Sequence, residues 1–494
     1  MAGDGSAGIG KIRVKFLVDR EKNKVVFAES GKEFVDVLLS FLTLPLGTIV
    51  RLLGKESSLG CFDELYKSVE SLDASHFQTK ACRNMLLRPL SAAGTLYEDL
   101  VVRIDDTNHR RIWVCSQREC FTDTFYYSSV PDVPCQQRGR SLDLSWYWLD
   151  RGGGVKDDGV FVRGGISYAT TDNLQVVPAD TDNLMFVLRG MGIEDVTMLE
   201  EKTLEFGLEE IKILLKQMLK SDKPLTDLLF GPSDEPARAD EPFSMAAKIS
   251  SENGSSSDCD VLKVKLLVTK TDQSVVHAEV PEEFCNILFS FLTLPLGRVI
   301  ELLGGSSSIS SIDNLYRSVG ENMTDYIKSD ECRDMVLYPE LPPFFSCSSP
   351  LLQSDEVTPI VSSVACCSPC IRNCSPFSPQ KMKCSHGNTK VLAVNPKVPT
   401  MTTETSGSYA KGPGKFLVTN ELGVAPFSLV NALHELKKKE HSVSNLATTE
   451  FTFTQVEVIT VTFSATAMFA PQIYSLDNGF SAGTELVEGC IGFS

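Results

Sequence analysis

The chain has 494 residues, 42% hydrophobic and 22% charged, proportions ordinary for a globular rather than a disordered chain, and at about 150 residues per domain they predict three or four compact units. Forty-seven Lys and Arg against 64 Asp and Glu leave a formal charge of -17, which disfavours a nucleic-acid backbone or an anionic membrane surface as the main ligand. The Gly- and Ala-rich start lacks the apolar segment of a secretory signal, no apolar run reaches the roughly 18 residues of a membrane span, and 15 Cys is an odd number, so a cytoplasmic or nuclear protein with free or metal-bound thiols is expected.

Along the chain, Arg13 to Val18 largely alternates, meets the polar turn Asp19 to Asn23 and continues as Lys24 to Ala28, which predicts a β-hairpin. Ser30 followed by Glu33 fits a capping box and predicts a helix start near residue 31. Glu33 to Leu44 is apolar on nearly every face and must be buried on most sides. Pro45 ends it, Leu46 to Leu53 restarts as a second helix, and Asp63 to Leu72 predicts a third. Residues 13–88 then recur without a gap at 263–338, with 33 of 76 positions identical, including Ser40-Phe-Leu-Thr-Leu-Pro-Leu-Gly47 as Ser290 to Gly297. That run reads as packing rather than as a ligand site.

A looser correspondence at an offset of 248 matches Phe161 to Tyr168 with Tyr409 to Phe416. This later part predicts two strands around an Asp172-Asn173 turn, then a helix from Asp182 to Gly190. Because Lys15 to Val18 reappears as Lys415 to Val418, each module is expected to hold two related strand-strand-helix units. A helix from Leu208 to Leu219 closes the first module, and the segment from Phe451 onward does not follow the first copy.

Lys15-Phe-Leu-Val-Asp19, Val25 to Glu29, Phe34 to Val37 with the Ser40 to Gly47 run, Leu65-Tyr66, Ser68-Val69, Arg163-Gly164, Lys411 to Pro413 and Phe416 to Thr419 together resemble a plant family of uncharacterised proteins, the domain of unknown function 674. The resemblance implies a plant source and a duplicated layout, and brings no activity. It also implies a paired-Cys hairpin between the two parts of each module, similar to a zinc ribbon. Cys115, Cys120 and Cys135 supply three ligands in the first copy, with Arg138 where a fourth would stand, so His109 or a distant residue must complete a tetrahedral zinc. In the second copy Cys370, Cys374, Cys384 and His386 are the set, with Cys366 and Cys367 nearby. Ordinary free thiols in a degenerate hairpin are the alternative.

The expected fold class is therefore α+β: tandem modules, each with strand-strand-helix units and a degenerate zinc-ribbon-like hairpin. The first module spans 11–230 (11–95, a Cys hairpin at 96–150, and 158–230), a linker follows at 231–260, a diverged second module occupies 261–470 with a Cys-, Ser- and Pro-rich, poorly ordered stretch at 343–405, and 471–494 is a tail.

Catalytic patterns are weak. Gly152-Gly-Gly154 lacks the Gly-Lys-Ser/Thr ending of a phosphate loop, Asp105-Asp106 beside His109 reads as a turn, and Lys437 to His441 reads as a solvated helix end. No Ser-His-Asp or Cys-His nucleophile can be nominated. The expectation is a non-catalytic interaction protein with a protein partner. The alternatives are a small-molecule-binding protein or enzyme with a pocket between the two parts of a module, lined by shared residues such as Asp63, Tyr66 and Arg83, and zinc-dependent nucleic-acid binding.

Overall fold

The computed structural model describes residues 10–117, 120, 124–135, 140–147, 158–232, 261–271, 274–307, 309–347, 355–359, 363–364, 389–398, 407–412, 414–438 and 442–454. Strands β1 (Ile12–Asp19) and β2 (Lys24–Ser30) form the predicted hairpin, whose turn is closed by the Asp19 carboxylate accepting the backbone N–H groups of Glu21 and Lys22. Helices α1 (Lys32–Leu42), α2 (Leu46–Leu52), α3 (Phe62–Ser71) and α4 (Lys80–Leu87) follow, then β3 (Arg111–Val114), β4 (Thr124–Ser128) and β5 (Leu144–Tyr147). The module ends with β6 (Tyr168–Thr171), β7 (Val176–Pro178), α5 (Thr181–Gly190), β8 (Leu199–Phe206), α6 (Leu208–Met218) and α7 (Pro224–Phe230).

The second module runs β9 (Val261–Thr269), β10 (Val275–Pro281), α8 (Glu282–Phe291), α9 (Leu296–Leu302), α10 (Ser310–Gly320), α11 (Asp330–Leu337), β11 (Ser363–Val364), β12 (Thr389–Ala393), β13 (Lys415–Thr419), β14 (Val424–Pro426), α12 (Leu429–Lys438) and β15 (Leu446–Thr454). The protein is thus a mixed α+β molecule with twelve α-helices and three sheets among the described residues.

Two of the sheets have the same plan, β7-β6-β2-β1-β8 and β14-β13-β10-β9-β15. They share even an irregularity: Val25 pairs with Val18 and Phe27 with Leu17, just as Val275 pairs with Val268 and His277 with Leu267. Two sequence expectations are corrected. Strand β15 occupies the place of β8, and Phe453 packs edge-on against Phe284 as Phe206 does against Phe34, so the parallel between the modules continues to Thr454. Ser30 is the last residue of β2, and the N-cap of α1 is Gly31 with no side-chain cap, so the expected capping box does not form.

The two strand-strand units lie side by side through β2 and β6, but their helices take opposite faces of the sheet. Val25 joins the core with α1, whereas its neighbour Val26 faces Val187 and Leu188 of α5.

The modules face each other. The shared Thr-Leu-Pro-Leu-Gly run lies at their junction: Leu46 N donates to Leu294 O (2.9 Å), Leu296 N to Leu44 O (3.0 Å), and Pro45 bridges Pro295. Farther out the contacts come in reciprocal pairs. Gln78 N and Lys411 N bond Tyr409 O and His76 O, while Lys328 N and Arg163 N bond Phe161 O and Tyr326 O. Ser318 Oγ accepts from Val176 N, and Ser68 Oγ from Val424 N. Such reciprocity is that of an isologous interface, here formed within one chain around a pseudo-twofold axis. It explains the all-round apolar α1, which packs on its own sheet with one side and on α9, α10 and α11 with the other. A single apolar core runs through both modules.

Each chain segment that crosses the junction hangs from one buried side chain at an equivalent place. Asp36 accepts the N–H groups of Val160, Phe161 and Val162 (2.8, 2.8 and 3.1 Å), and Asn286 Oδ1 those of Tyr409 and Ala410 (2.9 and 2.8 Å). Burial raises the Asp36 carboxyl above its ordinary value despite the three N–H donors.

The third sheet, β11-β12-β4-β3-β5, joins the modules again, with β12 of the second lying parallel to β4 of the first. Part of the stretch expected to be poorly ordered at 343–405 therefore builds a strand that closes a first-module sheet. The expected linker (apart from Gly231 and Pro232), the tail at 471–494 and Gly152 to Gly154 lie outside the described residues.

Candidate functional site

Strand β3 ends at Val114 and delivers Cys115 into the loop that leads to Cys120 and β4. That loop is braced by Asp143, whose carboxylate accepts Ser116 N (2.9 Å) and Ser116 Oγ (2.8 Å). Cys135 lies beside the Pro134–Ser141 bridge, with Leu142 N bonding Val133 O (2.8 Å) and Cys135 N bonding Arg140 O. The result brings Cys115, Cys120 and Cys135 together, all buried, with their sulfurs within 4.8 Å of one another. Cys120 Sγ and Cys135 Sγ are 3.6 Å apart, too far for a disulfide near 2.05 Å. Tetrahedral zinc with Zn–S near 2.3 Å sets its sulfurs about 3.8 Å apart, so this spacing fits a zinc-sized ion.

Burial pushes the Cys120 thiol up to about 12, the adjacent Cys115 and Cys135 sulfurs adding to the effect. Burial raises Cys115 too, opposed by the Gln117 N–H donated to its sulfur. Ala81, Val133, Leu142 and, from the second module, Val394 complete an apolar shell.

Among the described residues no fourth His, Cys, Asp or Glu joins this group. His109, the nearest sequence candidate, is held elsewhere: its Nε2 lies 2.9 Å from Asp105 Oδ2, and the Ser91 N–H points at its Nδ1 at 3.4 Å. Arg138 lies outside the described residues, as do Cys366, Cys367, Cys370, Cys374, Cys384 and His386 of the second module.

His109 belongs to a polar cluster that the sequence reading missed. Asp105 is fully buried, and Arg51 reaches both it (2.9 Å) and Asp106 (2.6 Å). Asp105 does hold a local turn, accepting Thr107 N–H (2.9 Å), but it is also the buried centre of an ion cluster with Arg51 and His109, while Asp106 stays exposed. Burial alone would raise the Asp105 carboxyl, but the His109 bond and charge together with Thr107 bring it down to about 2. The imidazole turns Nε2 to the Asp105 carboxylate as donor, while the Ser91 N–H faces Nδ1. Ser91 Oγ is turned away from the imidazole, donating to Thr43 O (2.9 Å) and accepting from Tyr97 Oη (2.9 Å), so Ser91, His109 and Asp105 do not form a nucleophilic triad. The cluster is confined to the first module, since Glu301 stands where Arg51 does.

Gly94 makes room for this imidazole. A Cβ at Gly94 would sit 2.1 Å from the His109 ring, so Gly94→Ala is expected to cost about 1–3 kcal/mol of stability in urea denaturation. An unchanged midpoint would mean that His109 swings freely aside.

Asp63 and Tyr66 make the same contacts as their counterparts in the second module. Asp63 receives Ser57 N and Oγ (3.0 and 2.6 Å) and Asp313 receives Ser307 N and Oγ (2.7 and 2.6 Å). Tyr66 Oη donates to Leu87 O and Tyr316 Oη to Leu337 O (2.8 and 2.9 Å). Arg83 binds the carbonyls of Val69 and Glu70 at the end of α3. These are the contacts of residues that shape loops and helix ends.

The chain carries the sequence profile of a protein family of unknown function, DUF674, over residues 9–455, and belongs to that family. No curated protein and no solved structure matches it. No helix among the described residues is long and apolar enough to cross a membrane.

Proposed function

We propose that the protein is a non-catalytic interaction protein of the cytoplasm or nucleus, binding a protein partner through α5 and α12. The observation that carries this reading is a pair of apolar helix faces left open at equivalent places, one after β7 and one after β14. Phe186 of α5 is 65% exposed, flanked by Leu184 and Met185, and Leu429, Val430 and Leu433 of α12 are 76%, 61% and 54% exposed. Water-facing apolar groups clustered on a helix mark contact surfaces in soluble proteins. Asp63, Tyr66 and Arg83 are taken up by Ser57 and by the carbonyls of Leu87, Val69 and Glu70, which weighs against a pocket lined by residues common to both modules. We also read the modules as products of duplication and fusion, from a plant source, with the identity over 13–88 and 263–338 as support.

The test compares the full chain with its Phe186→Glu, Leu429→Glu double variant as baits in extract of the source tissue, with bound proteins quantified by mass spectrometry. A partner retained by the parent chain and at least about tenfold depleted on the variant is expected, since two lost apolar anchors typically remove several kcal/mol of binding. Equal recovery on both baits, or no partner alongside turnover of a metabolite, would sink the reading.

A further inference from the structure

We propose that Cys115, Cys120 and Cys135 form a binding site for a thiophilic d10 cation of the zinc class, with three thiolates from the first module and a wall from the second. The inference is independent of the partner-binding reading. Three observations converge on it. The sulfurs come from two separate loops, yet lie within 4.8 Å of one another, with one pair at 3.6 Å. Chance packing of three small apolar side chains does not require both loops to be braced from outside. Here Asp143 bonds the backbone and hydroxyl of Ser116, and the Pro134–Ser141 bridge holds the backbone beside Cys135. Such bonds fix ligand direction, the part played by the outer partners of a metal site.

The Gln117 N–H donated to the Cys115 sulfur is a bond that strengthens when that sulfur becomes a thiolate. Three thiols aimed at one point in an apolar shell are also poorly disposed for water, leaving a soft cation as the species that satisfies them together. Hard ions such as magnesium or calcium need oxygen donors, which this group lacks.

Binding must expel the three S–H protons, one per sulfur, so protons compete with the metal. Apparent zinc affinity should therefore fall as pH falls, by up to about a thousandfold per unit if all three protons leave on binding. Val394, the residue that follows β12, belongs to the same apolar cluster as the three cysteines, so occupancy of the site would also brace the junction between the modules.

The experiment uses the full chain without a histidine tag, first with zinc and then with cobalt as the probe. Zinc is expected to protect Cys115, Cys120 and Cys135 from alkylation, mapped by peptide mass, and cobalt to give a sulfur-to-metal charge-transfer band. The Cys120→Ser, Cys135→Ser variant should hold one equivalent of zinc fewer than the parent, which separates this site from any metal on the second module's cysteines. Equal zinc content in variant and parent would overturn the proposal, as would equal alkylation with and without zinc or a Cys120–Cys135 disulfide persisting under reductant. The alkylation arm needs no variant, so a folding failure does not leave the question open.

Discussion

Gly297→Val is expected to lower the unfolding free energy by about 3 kcal/mol or more, because position 297 lies where the two modules meet backbone to backbone. A Cβ there would stand 2.5 Å from Val336 O and 3.1 Å from Leu42 O of the other module, and at Gly47 it would meet Leu292 O at 2.8 Å and Leu86 O at 3.0 Å. Carbonyl oxygens of packed helices cannot turn aside as a flexible side chain can, so the added methyls must displace both α11 of the same module, met at 2.5 Å, and α1 of the other, met at 3.1 Å. Urea denaturation gives the loss directly. A protease site engineered between residues 233 and 260 adds a sharper readout: the cut parent chain should elute as one particle on size exclusion, and the cut Gly297→Val chain as two. Wild-type behaviour of the variant in both measurements would remove the close approach as the reason for the shared glycine.

Asp105→Asn is expected to cost about 3 kcal/mol near neutral pH, since Arg51 would keep only the exposed Asp106 as a charged partner and His109 would lose its carboxylate. The penalty should shrink in acid. Asp105 titrates at about 2 in the folded chain against an ordinary 3.8, so its ionised form favours the folded state above about pH 4. That contribution fades as pH falls from about 4 towards 2, and is worth about 2 kcal/mol. The stability difference between parent and Asp105→Asn chains, measured at pH 5, 4, 3 and 2, should narrow by that amount over the window. A difference that stays constant would show that Asp105 is not held ionised by its neighbours.

Much of the molecule was legible in the sequence because its signals are local. Alternation gave β1 and β2, all-round apolarity announced that α1 is enclosed, and the family resemblance directed attention to Cys115, Cys120 and Cys135, whose sulfurs lie within 4.8 Å of one another. What escaped is non-local or weakly patterned. Strand β8 is an edge strand reading Leu-Glu-Glu-Lys-Thr-Leu-Glu-Phe, where charges on the open side mask the alternation. Asp105 looked like a turn residue because its partner Arg51 lies 54 positions upstream and leaves no mark near it. The Pro45 and Gly47 run was correctly assigned to packing, but nothing in eight residues discloses that the surface they pack on is their own counterpart 250 positions later. Ser30 and Glu33 matched a cap, yet β2 extends through Ser30 and takes it for the sheet.

The reciprocal pairing of the modules also sets a timetable for synthesis. Ser68 accepts from Val424 across 356 positions, and the carbonyl of His76 waits for Lys411. At the usual 5–20 residues per second, a ribosome needs roughly 20–70 s to bridge the first of these gaps. Throughout that interval the first module stands on the nascent chain with α1 half-clothed and the backbone around Phe77 unpaired, a natural client for chaperones that shield apolar surface. Stalled or truncated products ending before residue 409 should therefore be cleared by proteolysis rather than accumulate as a working half.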